Sequence, residues 1–143
     1  MSGSLTGPLD GHRQDTQFGA PGGENTFAKY LGMRWDDECT ARLTIRADLL
    51  NESGLLLGPV GFALVDFSMG AALWRETSDE ELIATINIAI NFIQSANHGD
   101  VLCRSRLDRR NRRIAVLSSE MHHDDGRLLA TAIGSFSIYP PKK

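Results

Sequence analysis

The stretch NESGLLLGPVGFALVD, residues 51–66, gathers the residues of this chain best suited to chemistry. Asn51, Gly54 and Gly58 lead into an apolar run that ends on a carboxylate, Asp66, and a hydroxyl, Thr85, follows in the next apolar segment. An ionised carboxylate among Leu, Val, Phe and Ala costs several kcal/mol unless it is paired or reaches water. Glycines let the backbone approach a ligand closely. Free N–H groups at a helix start, reinforced by the macrodipole, suit a carbonyl oxygen that gains negative charge during acyl transfer. Gly58 can supply such a donor and Pro59 cannot. Plainer readings stand beside these: Asn51 as a turn residue, Thr85 as an ordinary strand residue, Asp66 as a structural acid paired with Arg75.

The elements that must position these residues follow from periodicity. Phe27, Tyr30 and Leu31 have helical spacing after a cap at Asn25 or Thr26, and Gly32 stops that helix. MRWDDECTARLTIRAD, residues 33–48, alternates with Ala41, Leu43, Ile45 and Ala47 on one side, the period of a half-buried strand. From Pro59 to about Arg75 the chain is apolar all round, so this helix is enclosed rather than lying on a surface, with the proline in its first turn. LIATINIAINFIQSA reads as a long strand with Leu82, Ala84, Ile86, Ile88, Ile90 and Phe92 on an oily face and Thr85, Asn87 and Asn91 on the other. DVLCRSRLDR and RIAVLSSEMHH form a hairpin around the turn RRNRR, HDDGR gives a tight turn, and LLATAIGSFSIYP supplies the last strand. The order, four strands joined by hairpins after one long helix, predicts an α+β fold in which an antiparallel sheet wraps that helix.

Composition bounds the rest. A chain of 143 residues suits one domain over 26–143, and residues 1–25, glycine-rich and polar, are expected to form a flexible tail. A formal net charge of −3 offers no footprint for nucleic acid, and no apolar run is long enough to span a bilayer. With no leader pattern and only Cys39 and Cys103, a cytoplasmic, reducing location is expected, with both thiols as buried small hydrophobes. His122 and His123, followed by Asp124 and Asp125, chelate poorly from adjacent strand positions and read as hairpin surface, so no metal is expected. His98 reads as a turn residue, and Trp35 and Trp74 as packing anchors.

Asn51, Gly54, Gly58 and Asp66, around an apolar helix followed by strands of this order, resemble the hotdog-fold thioesterases of the 4-hydroxybenzoyl-CoA thioesterase superfamily, particularly the phenylacetate-pathway (PaaI-like) acyl-CoA thioesterases. TINIAINFIQSANHGDVL and GRLLATAIGSFSIYP carry the likeness onward, over roughly residues 27–139. The resemblance implies a hotdog fold, with about five or six antiparallel strands around one central helix. It also implies hydrolysis of an acyl-CoA thioester, with Asp66 as general base or nucleophile, the Gly58 N–H as oxyanion contact, Thr85 placing the water and Asn51 near the thioester. The family works as a dimer or dimer of dimers with sites shared between subunits, and needs no cofactor beyond the coenzyme A of its substrate. This chain departs from the pattern at two substrate-binding positions: Leu57 stands where the family has histidine, and Pro59 where it has a second glycine. That departure keeps open a second reading, a non-catalytic acyl or acyl-CoA binding protein on the same fold. A hotdog hydratase is disfavoured, because Ala71 falls where that relative carries histidine. Leu55, Leu56 and Leu57 beside Phe62 suggest an apolar wall for a medium-chain or aryl acyl group. Arg110 and Arg112 in RRNRR are candidates for gripping the phosphates of coenzyme A, against the plainer reading of a solvated hairpin tip.

Overall fold

A computed structural model describes residues 25–139, so the expected tail lies, but for Asn25, outside the described residues. The chain runs α1 (Thr26–Leu31), β1 (Arg34–Asp37), β2 (Thr40–Thr44), a 3-10 turn (Ala47–Leu49), α2 (Gly58–Trp74), β3 (Leu82–Phe92), β4 (Asp100–Arg110), β5 (Ile114–His123) and β6 (Leu128–Tyr139). The Asn25 side chain accepts the Ala28 N–H at 3.0 Å to start α1, and Gly32 closes it.

The six strands form one antiparallel sheet in the order β1-β2-β4-β5-β6-β3, with α2 laid across one face. This is the hotdog arrangement, and the uniformly apolar sequence of α2 explains it. Leu64, Val65, Met69 and Leu73 are each at most 1 % exposed and pack on Leu43, Val101, Leu117 and Phe136 of the sheet. Each such side chain contributes about 1.5–3 kcal/mol on burial, far more than helix propensity supplies. Trp74 is buried, and Trp35 is half-buried against this core as a packing anchor.

Two expectations about the strands need correction. Residues 33–48 form not one strand but a short hairpin, because the Asp37 carboxylate accepts the Cys39 N–H at 3.0 Å and turns the chain between β1 and β2. The strand after α2 is also not hairpinned to its successor. It pairs with β6 at the far edge of the sheet, and the chain then crosses to β4. Alternation fixes which side of a strand is apolar, but closure of the sheet around α2 decides which strands meet.

A bulge at Ile86 changes the faces of β3. Thr85 lies opposite Phe136 and Asn87 opposite Ser135, leaving Ile86 without a partner. Ile83 and Thr85 therefore face α2 before the bulge, and Ile88 and Ile90 after it, whereas Ile86 is 53 % exposed. The single oily face expected from Leu82 to Phe92 does not exist.

The end of the β2–β4 ladder is tied by Asp100. Its carboxylate accepts the Thr44 hydroxyl at 2.6 Å and lies 2.9 Å from both Arg34 and Arg42. The Thr44 hydroxyl first, and then the two guanidiniums, hold this carboxyl below the usual carboxylate range against the opposing effect of burial. Cys103 is buried and Cys39 half-buried, and neither is in a disulfide. Among the described residues no helix is long and apolar enough to cross a membrane.

Candidate active site

The loop before α2 is built by Asn51. Its side-chain oxygen accepts the N–H groups of Ser53 (2.9 Å) and Leu55 (3.0 Å), while its backbone N–H donates to the Leu55 carbonyl at 2.7 Å. Gly54 closes the turn at φ 78°, a left-handed conformation that glycine adopts without steric cost. Asn51 thus fixes the path of the loop, and the turn reading of this residue is realised in its hydrogen bonds.

That loop delivers a bare helix start. Leu57 is the N-cap and has no side-chain capping bond; its carbonyl accepts the Val60 and Gly61 N–H groups at 3.0 and 3.3 Å. Pro59 has no N–H, and the Gly58 N–H has no acceptor among the described residues. A single donor therefore remains at the positive end of the helix macrodipole. Next to it opens a cleft of about 300 Å³, walled by Asn51, Leu55, Leu57, Gly58, Phe92 and Met121. Leu57 lines this cleft, while Pro59 is exposed beside it.

Asp66 lies further along α2, half-buried, and its Oδ1 accepts the Thr85 hydroxyl at 2.7 Å. The bulge at Ile86 makes this bond available, since it turns Thr85 toward the helix on the exposed edge strand. Thr85 therefore faces the helix rather than away from it, a correction to the expected pattern. Arg75 is not the partner of Asp66: its guanidinium faces Glu38 at 3.6 Å. Gly58 and Asp66 are separated by about 12 Å of helix at 1.5 Å rise per residue. One small carbonyl cannot touch both within a protomer.

The arginines of the β4–β5 turn lie elsewhere. Arg110 is spent inside the chain, donating to the Glu76 carbonyl at 2.9 Å, to the Glu81 carboxylate at 3.3 Å and to the Asn111 carbonyl at 3.1 Å, beyond the C-terminal end of α2. Burial alone would raise the Glu81 carboxyl, but the Ser78 N–H and Arg110 outweigh it and hold it below the usual range. Arg112 is exposed at the tip of the turn.

Two features escaped the sequence reading. His123 is 4 % exposed, not hairpin surface; its Nε2 donates to the His98 carbonyl at 2.7 Å and its Nδ1 accepts the Asp125 N–H at 3.1 Å, which locks the β5–β6 turn against residue 98. The signal was Gly99, whose φ of 80° brings its backbone against the ring. The second is a depression of about 410 Å³ on the outer face of the sheet, with Arg104, Arg106, Glu120 and Ile133 in its wall. It lies across the sheet from α2, remote from Gly58 and Asp66. Among the described residues no group of His, Cys, Asp and Glu is arranged to hold a metal ion.

The family model of the thioesterase superfamily matches residues 53–130, more than half of the chain. The chain belongs to the thioesterase superfamily. A search of curated proteins returned no match. Among solved structures, a conserved protein of Pseudomonas aeruginosa, PA5202, is 26 % identical, with a TM-score of 0.73 over 85 % of this chain and 99 % of that one. The BH2602 protein of Bacillus halodurans, in a structure with CoA, is 18 % identical, with a TM-score of 0.78 over 83 % of this chain and 79 % of that one. A thioesterase of Haemophilus influenzae, HI1161, is 18 % identical, with a TM-score of 0.75 over 87 % of both chains. At 18 % identity the last two show a shared fold. The family match covers Gly58, Asp66, Thr85 and the cleft wall except Asn51, so the thioesterase superfamily assignment and most of the site rest on the same segment.

Proposed function

We propose that this protein hydrolyses an acyl-CoA thioester, at sites each completed by a second copy of the chain. The observation that carries the reading is the Asp66 carboxylate, held on one oxygen by Thr85 and half-open to solvent beside an unpartnered sheet edge. Its second oxygen is left to take a proton from water. That water attacks the thioester carbon, the carbonyl oxygen gains charge and is held by a Gly58 N–H, and the C–S bond then breaks as the coenzyme A sulfur leaves with the proton. An anhydride route, with Asp66 as nucleophile, would use the same contacts. Membership of the thioesterase superfamily supports the reaction class, and the CoA in the Bacillus halodurans structure supports the leaving group.

The 12 Å between Gly58 and Asp66 is why a second copy is needed. The β3 edge is eleven residues long, has no strand beyond it among the described residues, and exposes Ile86 and Phe92, with exposed Ile93 just after it. Such an edge is a template for pairing with another chain. The opposite edge, β1, has only four residues, with Arg34, Asp36 and Asp37 among them. Antiparallel pairing of two β3 edges would bring Asp66 of one protomer near the helix start of the other. Asn51 would act there through the loop it shapes. Arg112, exposed where Arg110 is not, is the better candidate for the phosphates of coenzyme A.

The test is CoA release, followed with a thiol reagent over a panel of acyl-CoAs. Asp66→Asn should lower kcat by about 10²- to 10⁴-fold, the span of a positioned general base. Unchanged turnover in that variant would remove Asp66 from the mechanism. The single donor left by Leu57 and Pro59 favours one rival, an acyl-CoA binding protein without turnover. Ligands that raise Tm but are never cleaved, across the whole panel, would favour that rival.

A further inference from the structure

Two side chains of the cleft wall, Phe92 and Met121, close on the start of α2. Phe92, the last residue of β3, lays its ring across the first turns of the helix: a Cβ added at Gly58 would meet the ring at 3.9 Å, and one added at Gly61 would meet it at 3.0 Å. The Met121 methyl lies 3.2 Å from that same point over Gly61. Gly61 is buried in the first turn of the helix, where alanine would be the better helix former. Its missing side chain is the space in which Phe92 and Met121 meet.

The rest of the wall is mainly apolar, with Leu55, Leu57 and Leu129, beside the polar Asn51, Gln94 and Ser95, and the free Gly58 N–H sits at its rim. A carbonyl held at that N–H would send its substituent into the cleft. About 300 Å³ is twice the roughly 150 Å³ of a Leu/Ile/Phe-lined cavity that takes up benzene, so an aryl or medium-length alkyl group fits and a long chain meets Phe92. Phe92 is 54 % exposed, so it closes the cleft without holding the fold together.

We propose that this cleft is the acyl site and that Phe92, seated over Gly61 and against Met121, limits the length of acyl group accepted. The inference rests on the acyl-CoA reading above and adds the class of acyl group together with the residues that set it. Phe92→Ala opens the end of the cleft. Gly61→Ala pushes the ring and the Met121 methyl into it, since both are ends of flexible side chains. The double variant relieves the clash that the single Gly61 change creates, so the two effects are non-additive.

Two readouts on wild type, Phe92→Ala, Gly61→Ala and the double variant separate this inference from the function it rests on. The first is kcat/KM for CoA release over straight-chain acyl-CoAs of increasing length and an aryl-acyl-CoA. The second is calorimetric affinity for S-alkyl-CoA thioethers of the same lengths, which cannot be cleaved. A methylene in an apolar pocket is worth roughly 10- to 200-fold at most. The expected result is that Phe92→Ala raises the preference for chains longer than the wild-type optimum at least about 10-fold, Gly61→Ala shortens the optimum, and the double variant moves back toward wild type. Hydrolysis with the same length profile in all four proteins would overturn the acyl-site proposal and leave the hydrolase reading standing. Thioether affinities that shift as described, without hydrolysis of any substrate, would support the site and overturn the hydrolase reading. Absence of both thioether binding and hydrolysis would overturn both.

Discussion

The Thr85→Val substitution tests the site most directly, because it removes one hydrogen bond and little else. The Thr85 hydroxyl donates at 2.7 Å to an Asp66 oxygen, and valine keeps the shape of the side chain without the donor. A hydrogen bond to a charged group contributes about 1.5–3 kcal/mol, and each 1.36 kcal/mol is tenfold in rate, so full loss of the bond would slow the reaction about 10- to 150-fold. Thr85 is exposed on an edge strand, so water can replace its hydroxyl. The expected loss is therefore at the lower end, about 10-fold, in kcat rather than KM, since the bond orients the carboxylate and does not touch the acyl group. For the same reason stability should change by no more than about 0.5 kcal/mol. The assay is steady-state CoA release beside a urea titration, with Thr85→Ser, which keeps the hydroxyl, as the rescue. A folded Thr85→Val protein with kcat within about twofold of wild type would refute the claim that Thr85 positions Asp66.

Other perturbations have equally definite outcomes. Under the proposed pairing of β3 edges, sedimentation of wild type should show a dimer and of Ile86→Lys, which puts a charge on that edge, a monomer, with CoA release falling to the Asp66→Asn level; a fully active monomer would refute the shared site. Asp100 titrates below its ordinary value when folded, so its stabilising contribution is present above the unfolded pKa of about 3.9 and is lost as pH falls through the folded value. Asp100→Asn should accordingly be less stable than wild type to urea at neutral pH, and the gap should close in acid; a gap that does not depend on pH would refute the assignment. Burial pushes the Cys103 thiol up to about 12, and burial, with Asp37 adding to it, pushes Cys39 up to about 11. Neither should react with a thiol reagent in the native protein near about pH 8, while both react in urea, so the CoA-release assay should carry no background from the protein's own thiols.

Much of this molecule is legible in local pattern. An apolar run from Gly58 to Trp74 that cannot be given a wet face must be enclosed, and Pro59 marks its first turn. The alternation in β4 and β5 follows the pleat over most of their length, so Val101, Cys103, Ala115 and Leu117 point inward as their spacing requires. The Asn51, Gly54, Gly58 and Asp66 spacing was readable because a turn, a helix start and a position on a helix are all set by near neighbours.

What escaped depends on contacts between segments far apart in the chain. The bulge that turns Thr85 toward Asp66 exists only because β3 pairs with β6, and nothing within LIATINIAINF reports that partner. His123 is buried because residues 98 and 99 cross over it, not because of its neighbours in sequence. Arg110 carried a promising charge, yet the carboxylate and carbonyl that absorb it sit on the loop after α2. The buried helix, the faces of most strands and the residues able to do chemistry follow from local sequence, since periodicity and backbone limits act over a few residues. Strand order and the Thr85–Asp66 bond came from folding as a whole, because closing a sheet around a helix selects among pairings that local pattern leaves equal.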